Sequence, residues 1–101
     1  MTFMHGQFIY SPRIHHRVAQ LNDMAYANFV NICLFRHIGG DFGDIDEYEK
    51  SANLYAIESG TERIVSSYIS QELVAKLWII TDSDRLSTTI TTPEEYQEGK
   101  I

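Results

Sequence analysis

The apolar residues of this chain change their spacing at Gly60. Before that glycine they recur every three or four positions, which is the repeat of amphipathic helices. After it they alternate with polar residues in short segments that end at turn-forming residues, which is the repeat of β-strands. Because the helices precede most of the strands, the pattern predicts an α+β domain in which three helices pack on one face of a small, mainly antiparallel sheet.

Local signals divide the chain into the predicted order β-α-α-α-β-β-β. The strands are expected at 7–10, 62–70, 76–82 and 86–92, and the helices at 12–20, 24–37 and 45–59. The strand around Trp78 is apolar on both faces, which indicates a central position. The third helix is expected to turn one set of side chains inward, those of Ile45, Tyr48, Ala52, Tyr55 and Ala56. Residues 97–101 are expected to fray.

The bulk properties fit one small domain with a core of its own. The 101 residues carry a formal net charge of -6, so the surface repels phosphate backbones and direct nucleic-acid binding is disfavoured. The same charge suits a protein partner with a basic surface. The single cysteine, Cys33, lies in an apolar run and predicts a buried thiol in a reducing compartment, the cytoplasm. No apolar run is long enough to span a membrane, and no motif predicts a cofactor.

The stretch RHIGGDFGDIDEYEK, residues 36–50, is the first candidate site. Asp44 stands three residues before Glu47, an aspartate form of the capping box, so Asp44 is expected to be the N-cap of the third helix. Asp46 adds charge to the first turn, and Asp41 is expected to hold the turn by bonding to its backbone. The alternatives are a metal or catalytic role and a partner contact, and the spacing does not match the calcium-binding loop of EF-hands.

The turn TDSDRLSTT, residues 81–89, is the second candidate site. Asp82 and Asp84 suit turns in which a side chain bonds to nearby backbone. Arg85 can bind a carboxylate through two parallel hydrogen bonds. We expect a structural salt bridge from Arg85 to the 41–44 turn, with an anion-binding role for Arg85 as the alternative.

His37 lies at the end of the second predicted helix. A protonated imidazole is favoured there by the helix dipole, and a hydrogen bond to Asp41 is the alternative. If His37 were catalytic, its partner would be Asp82 or Asp84.

Three segments resemble a known family: RHIGGDFGDIDEYEKSAN, GTERIVSSY and KLWIITDSDRLSTTITTPEEY. Their Gly-Asp-aromatic-Gly-Asp turn at 40–44 and their Trp-Ile-Ile-Thr-Asp-x-Asp-Arg segment at 78–85 are similar to those of the plasmid-related proteins. These are small proteins carried by plasmids, integrating elements and prophages. The resemblance covers residues 28–96 and implies carriage on a mobile genetic element, without implying an established activity.

Two classes of function fit these residues. The leading hypothesis is an interaction protein that binds a basic partner through Asp41, Asp44, Asp46, Glu47, Asp82, Asp84 and Arg85. Carriage on a mobile element suggests that this partner is a host defence complex of protein and nucleic acid, which the chain would inhibit as an anti-CRISPR or anti-restriction protein. The alternative is a small hydrolase or nuclease-like toxin that uses His37, Asp41, Asp82 and Arg85 in one cleft. Self-association through an edge strand at 87–91 would also give a homodimer.

Overall fold

The computed structural model describes residues 3–99 and arranges them as four strands and four α-helices. The strands are β1 (Gln7–Tyr10), β2 (Ile64–Ser70), β3 (Ala75–Thr81) and β4 (Ser87–Thr91), and the helices are α1 (Pro12–His15), α2 (Met24–Ile38), α3 (Glu47–Ser59) and α4 (Pro93–Gln97). A π-helical segment, His16–Gln20, continues α1. The predicted α+β class is confirmed, with α4 as a fourth helix. Fraying was predicted from residue 97, but Gln97 still belongs to α4, and residues 100–101 lie outside the described part of the chain.

The four strands form one mixed sheet in the order β1-β4-β3-β2. β2 and β4 both pair antiparallel with β3, which confirms the central position predicted for the strand around Trp78. β1 pairs in parallel with β4, from Gln7 opposite Ser87 to Tyr10 opposite Ile90. The prediction that 87–91 is an edge strand is therefore wrong, because β1 occupies the side of β4 that was expected to be free.

One face of the sheet carries the main core. α1 and α2 pack there against the alternating inward residues of the strands, and the buried set includes Ile14, Val30, Tyr68, Leu77, Ile79 and Ile90. Burying a side chain of this size contributes roughly 2 kcal/mol. Cys33 is buried within α2 as predicted, and burial raises the pKa of its thiol to about 12. The aromatic side chain of Phe35, also on α2, is 76% exposed.

The third helix does not pack on that face. α3 lies along the outer edge of β2, where the Asn53 side chain pairs with both backbone groups of Val65: Nδ2 donates to the carbonyl at 2.8 Å and Oδ1 accepts from the amide at 3.0 Å. The prediction of three helices on one face is therefore corrected, because a polar residue in the middle of α3 serves the strand edge. Within residues 3–99, no helix is long and apolar enough to cross a membrane.

The opposite face of the sheet is covered only in part. Ser67, Ile80 and Thr91 are buried there, whereas Ile9 and Ile69 are exposed. α4 contacts this face, where the Tyr96 ring lies edge-on to the Trp78 ring with 5.9 Å between centroids. Beside this contact, between α3 and the strands, a groove remains. We call this partly covered side the open face and the groove the α3 groove.

Candidate functional site

The predicted N-cap of α3 is displaced by two residues. Asp46 is the cap: its side chain accepts from the Glu49 amide at 2.7 Å, and the Glu49 side chain accepts from the Asp46 amide at 3.4 Å. Asp44 was expected in this role, but its amide donates to the Ser67 carbonyl at 2.6 Å. Backbone pairing with β2 therefore holds Asp44 in an extended segment and delays the helix.

The Asp41 carboxylate is held by a neighbouring arginine. Arg36 donates to it through Nε at 2.8 Å and Nη2 at 3.2 Å, and this pairing holds the pKa of Asp41 below its usual range. The Arg36 guanidinium also lies over the Tyr68 ring, 4.8 Å from its centroid. The Tyr68 hydroxyl donates to the Asp41 carbonyl at 2.7 Å. The Asp41 carboxylate also accepts from the Gly43 amide at 3.3 Å, the bond to the turn backbone that was expected, and it is already paired with Arg36.

His37 is buried and neutral, which corrects both expectations for it. Its Nδ1 lies 2.5 Å from the Ser66 hydroxyl and its Nε2 lies 2.9 Å from the Thr81 hydroxyl, with no contact to Asp41. Burial, with a smaller contribution from the charge of His5, lowers the pKa of His37 to about 4. The imidazole is thus a structural hydrogen-bonding group in the core.

Arg85 binds backbone carbonyl groups, so the expected salt bridge to the 41–44 turn is absent from the described structure. Its Nη2 donates to the Ala56 carbonyl at 2.8 Å and its Nη1 donates to the Glu62 carbonyl at 2.7 Å. A cation is favoured there because the C-terminus of α3 carries partial negative charge. Asp82 accepts from Ser87 and Asp84 from the Leu86 amide, as turn-forming residues do.

These positions place the two candidate sites at opposite ends of α3. The 41–46 turn precedes its first residue, and the 82–85 turn contacts its last turn. A helix of 13 residues is about 20 Å long. The four side chains of the alternative enzyme hypothesis therefore do not share one cleft. Among residues 3–99, no three His, Cys, Asp or Glu side chains group closely enough to hold a metal ion.

Truncation of Arg85 is expected to loosen the end of α3. Arg85→Ala should lower the free energy of unfolding by about 2 kcal/mol, since it removes charge-assisted bonds to the Ala56 carbonyl in α3 and to the Glu62 carbonyl in the loop that follows. Urea unfolding would measure this loss of stability. Arg13→Ala is the control, because Arg13 is exposed and its replacement removes only a 3.9 Å contact with Glu98. Equal stability of the two variants would contradict the anchoring role.

The α3 groove is a large, open hollow with a volume of about 730 Å³. Its floor is the open face of β2 and β3, where Val65, Ser67 and Trp78 alternate with inward residues. Its wall is α3, from which Tyr48 and Tyr55 project. These two tyrosines were expected inside, yet Tyr48 is 82% and Tyr55 62% exposed. They point outward because Asn53 and Ala56 form the buried side of α3.

The charged rim of the groove has one more acidic than basic residue. Asp44, Glu49 and Glu62 line it, against Arg63 and Lys76. Arg63 is partly engaged, since its Nη1 donates to the Tyr96 hydroxyl at 3.0 Å. Of the predicted binding residues, only Asp44 belongs to the groove lining. The rest of the site went unpredicted, because the outward turn of the tyrosines depends on where α3 packs.

Two of the carboxylates in segments 41–49 and 94–98 are not free on the surface. Glu95 is buried, where it accepts from the Ser11 hydroxyl at 2.7 Å and the Arg13 amide at 3.1 Å. Burial by itself raises the pKa of Glu95, but these bonds and those from Thr92 outweigh it and lower the pKa. Asp41 is also paired, with Arg36, so neither carboxylate is free to mimic a phosphate.

Comparison of the chain with protein-family models, curated protein sequences and solved structures finds no match to any of them.

Proposed function

We propose that this chain is a protein-interaction domain, and that its α3 groove binds a basic, partly apolar segment of a partner protein. The observation that carries the proposal is the groove itself. It combines an exposed aromatic wall, a half-buried tryptophan and an acidic rim on a sheet face that α1, α2 and α3 leave uncovered.

The aromatic residues supply the contact area. Tyr48 and Tyr55 stand two helical turns apart on one side of α3, opposite Trp78 on the floor. Tyrosine and tryptophan are the residue types that dominate binding energy at protein interfaces, because they bury large area at little cost in side-chain entropy. Apolar side chains of a partner segment would be enclosed between wall and floor.

The charges favour arginine or lysine in that segment. Asp44 and Glu49 lie at the end of the groove near the start of α3, and Glu62 lies near the other end. A cation placed there gains from the carboxylates and from the tyrosine rings, each cation-ring contact being worth roughly 0.5–2 kcal/mol. The overall charge of -6 adds longer-range attraction for a basic partner and repels phosphate backbones.

The sequence resemblance extends the proposal to the identity of the partner. A protein carried by a mobile element benefits from blocking host defence, and nucleoprotein defence complexes expose basic surfaces that bind phosphate. We therefore propose a protein component of such a complex as the partner and the cytoplasm as the site of action. The buried free thiol of Cys33 is compatible with that compartment.

The groove can be tested directly because Trp78 is the only tryptophan in the chain. We expect a short peptide that alternates arginine with leucine to change the Trp78 emission on titration. A peptide with glutamate in place of arginine should not. Duplex DNA should leave the emission unchanged as well. A response to the glutamate peptide equal to that of the arginine peptide would reject a basic occupant.

Variants would assign the binding to the groove. Tyr48→Ala and Tyr55→Ala should each weaken peptide binding about tenfold, whereas Phe35→Ala, at an exposed aromatic on α2, should not. The double variant Asp44→Asn, Glu62→Gln should weaken it several-fold, with Glu58→Gln, Glu72→Gln as the matched control outside the groove. Undiminished binding by both tyrosine variants would reject the α3 groove as the binding site.

A further inference from the structure

The two edge strands of the sheet, β2 and β1, differ in whether their outward backbone groups have hydrogen-bond partners. On the β2 edge, Asn53 takes both backbone groups of Val65, while the Phe42 carbonyl and the Asp44 amide take those of Ser67. The β1 edge has no comparable cover among the described residues. Because exposed strand edges promote unwanted association, proteins usually cover, charge or shorten them.

The free edge belongs to residues Phe8 and Tyr10. The amides on either side of them point inward: Gln7 donates to the Leu86 carbonyl at 3.0 Å and Ser11 to the Ile90 carbonyl at 2.9 Å. Backbone groups alternate in direction along a strand, so the amides and carbonyls of Phe8 and Tyr10 point away from β4. The segment QFIY carries no charge and no proline that would block pairing.

We propose that β1 pairs antiparallel with β1 of a second copy of this chain, giving a two-fold dimer with a continuous eight-stranded sheet. The outward groups define the register: Phe8 exchanges hydrogen bonds with the partner subunit's Tyr10. Ile9 then faces the partner subunit's Ile9 across the two-fold axis on the open face. Each Ile9 is 40% exposed, so the pairing buries an apolar contact that the single chain leaves in water.

Charge complementarity favours a second copy as the occupant. At its start β1 lies beside the β3–β4 turn, which carries the exposed Asp82 and Asp84. At its end β1 leads into α1, where the Arg13 side chain is 60% exposed and lies 3.9 Å from Glu98, while Arg17 further along is paired with Asp23. Antiparallel pairing brings the acidic turn of one copy towards Arg13 of the partner subunit, at both ends of the interface. Such pairing adds attraction and fixes orientation.

The apolar surface continues on the covered side of the sheet. Tyr10, also 40% exposed, borders a hollow of about 200 Å³ whose wall includes Ile14, Val18 and Val30. The interface thus has apolar contacts above and below the paired strands. Four residues of strand make a small interface, so the dimer is expected to form at micromolar or higher concentration.

A consequence for binding rests on the proposed function. A two-fold axis perpendicular to the sheet keeps both open faces on the same side. The two α3 grooves would then lie on one side of the dimer, separated by about 30 Å across the strands. A partner with two basic segments would be bound by both grooves, which raises its overall affinity.

Sedimentation of the full chain tests the dimer without reference to any ligand. We expect a concentration-dependent dimer that Ile9→Lys weakens about tenfold or more, because two like charges then face each other at the axis. The matched control is Ile69→Lys, an exposed isoleucine on the same face at the β2 edge, which should leave the dimer unchanged. A wild-type chain that stays monomeric at its highest soluble concentration overturns the proposal, as does a dimer indifferent to Ile9→Lys.

Cysteine cross-linking tests the register and does not depend on the folding of the lysine variant. In this register the Cα atoms of the two Ile9 residues are about 4.5 Å apart, which suits a disulfide. Diamide, which takes up the two electrons and two protons released, should link Ile9→Cys into a covalent dimer. Gln7→Cys should not link, because its Cα atoms lie about 13 Å apart. Faster linking of Gln7→Cys than of Ile9→Cys would overturn the proposed pairing.

Discussion

Replacing Gly43 with alanine is expected to lower the free energy of unfolding by about 3–5 kcal/mol, a large fraction of the stability of a small domain. Gly43 has a φ of +73°, where a Cβ atom is strained by roughly 1–2 kcal/mol. The added methyl would also lie 2.2 Å from the Ser67 carbonyl oxygen and 2.6 Å from the Tyr68 ring. Since neither neighbour is a flexible chain end, the 42–44 segment would have to leave β2.

Gly60 provides a matched control for this effect. Its φ is +71°, but a Cβ atom there would have no neighbour within 4 Å. Gly60→Ala should therefore cost only the backbone strain of about 1–2 kcal/mol, and the difference between the two variants measures the contact at Gly43. Urea unfolding would provide both values. Equal losses would show that residues 42–44 do not lie against β2.

The same segment explains why the start of α3 was predicted two residues early. Asp44 is followed by Glu47 and Asp46 by Glu49, so both aspartates match the capping pattern. The choice between them is made by the bond from the Asp44 amide to Ser67, a residue 23 positions further on. Where a local signal is unambiguous, as with Ser11-Pro12 before α1 or Gly60 after α3, the predicted boundary is confirmed.

In the α3 groove, too, the strand of the floor could be predicted from its own sequence, whereas the orientation of α3 could not. Apolar residues on both faces of the strand around Trp78 located β3 at the centre of the sheet from sequence alone. Helical periodicity could not tell which side of α3 faces inward, because Tyr48, Ala52 and Tyr55 form as good an apolar stripe as the buried residues do. The polar signal was Asn53, whose amide replaces a neighbouring strand at Val65. Recognising it requires knowing that β2 is an edge.

Burial of His37 had no signal in its own neighbourhood either. Its partners, Ser66 and Thr81, come from two strands and lie 29 and 44 positions away. The one sequence feature that accompanies this burial is a hydroxyl residue at an inward position of each of three successive strands: Ser66, Thr81 and Thr88. From its neighbours in sequence, a histidine at a helix end next to an acidic turn is expected on the surface. His37 is buried because the strands that carry Ser66 and Thr81 pack over it.

The hydrogen bonds of this set determine which nitrogen of His37 carries the proton. The Thr88 hydroxyl donates to the His5 carbonyl at 2.6 Å, because a carbonyl oxygen can only accept. Thr88 has then used its one proton, so in its 2.7 Å bond with Thr81 it accepts from the Thr81 hydroxyl. The single hydroxyl proton of Thr81 is then used, and Thr81 must accept from Nε2 of His37. Nδ1 consequently accepts from the Ser66 hydroxyl. Every donor in this set is used, and both ring nitrogens are bonded, while the imidazole is neutral.

Acid should therefore destabilise the fold before most of the carboxylates titrate. As the pH falls below 6.5, the unfolded imidazole takes up a proton, while the folded one, with a pKa of about 4, does not. The unfolded state then binds more protons, so stability decreases with falling pH between 6.5 and 4. The shift corresponds to a loss of about 2 kcal/mol at pH 5 and about 3 kcal/mol when complete. Above pH 6.5 this contribution to pH dependence vanishes.

Urea unfolding between pH 7 and pH 5 would measure this loss, above the range in which the paired carboxylate of Glu95 begins to matter. His37→Gln should be less stable than the wild type at pH 7, because Ser66 and Thr81 lose a well-placed partner, yet its stability should change much less with pH. His15→Gln, at an exposed histidine on α1, should keep the wild-type slope. If His37→Gln retained that slope and His15→Gln lost it, the acid sensitivity would come from the protein surface, and the buried neutral imidazole would not be its cause.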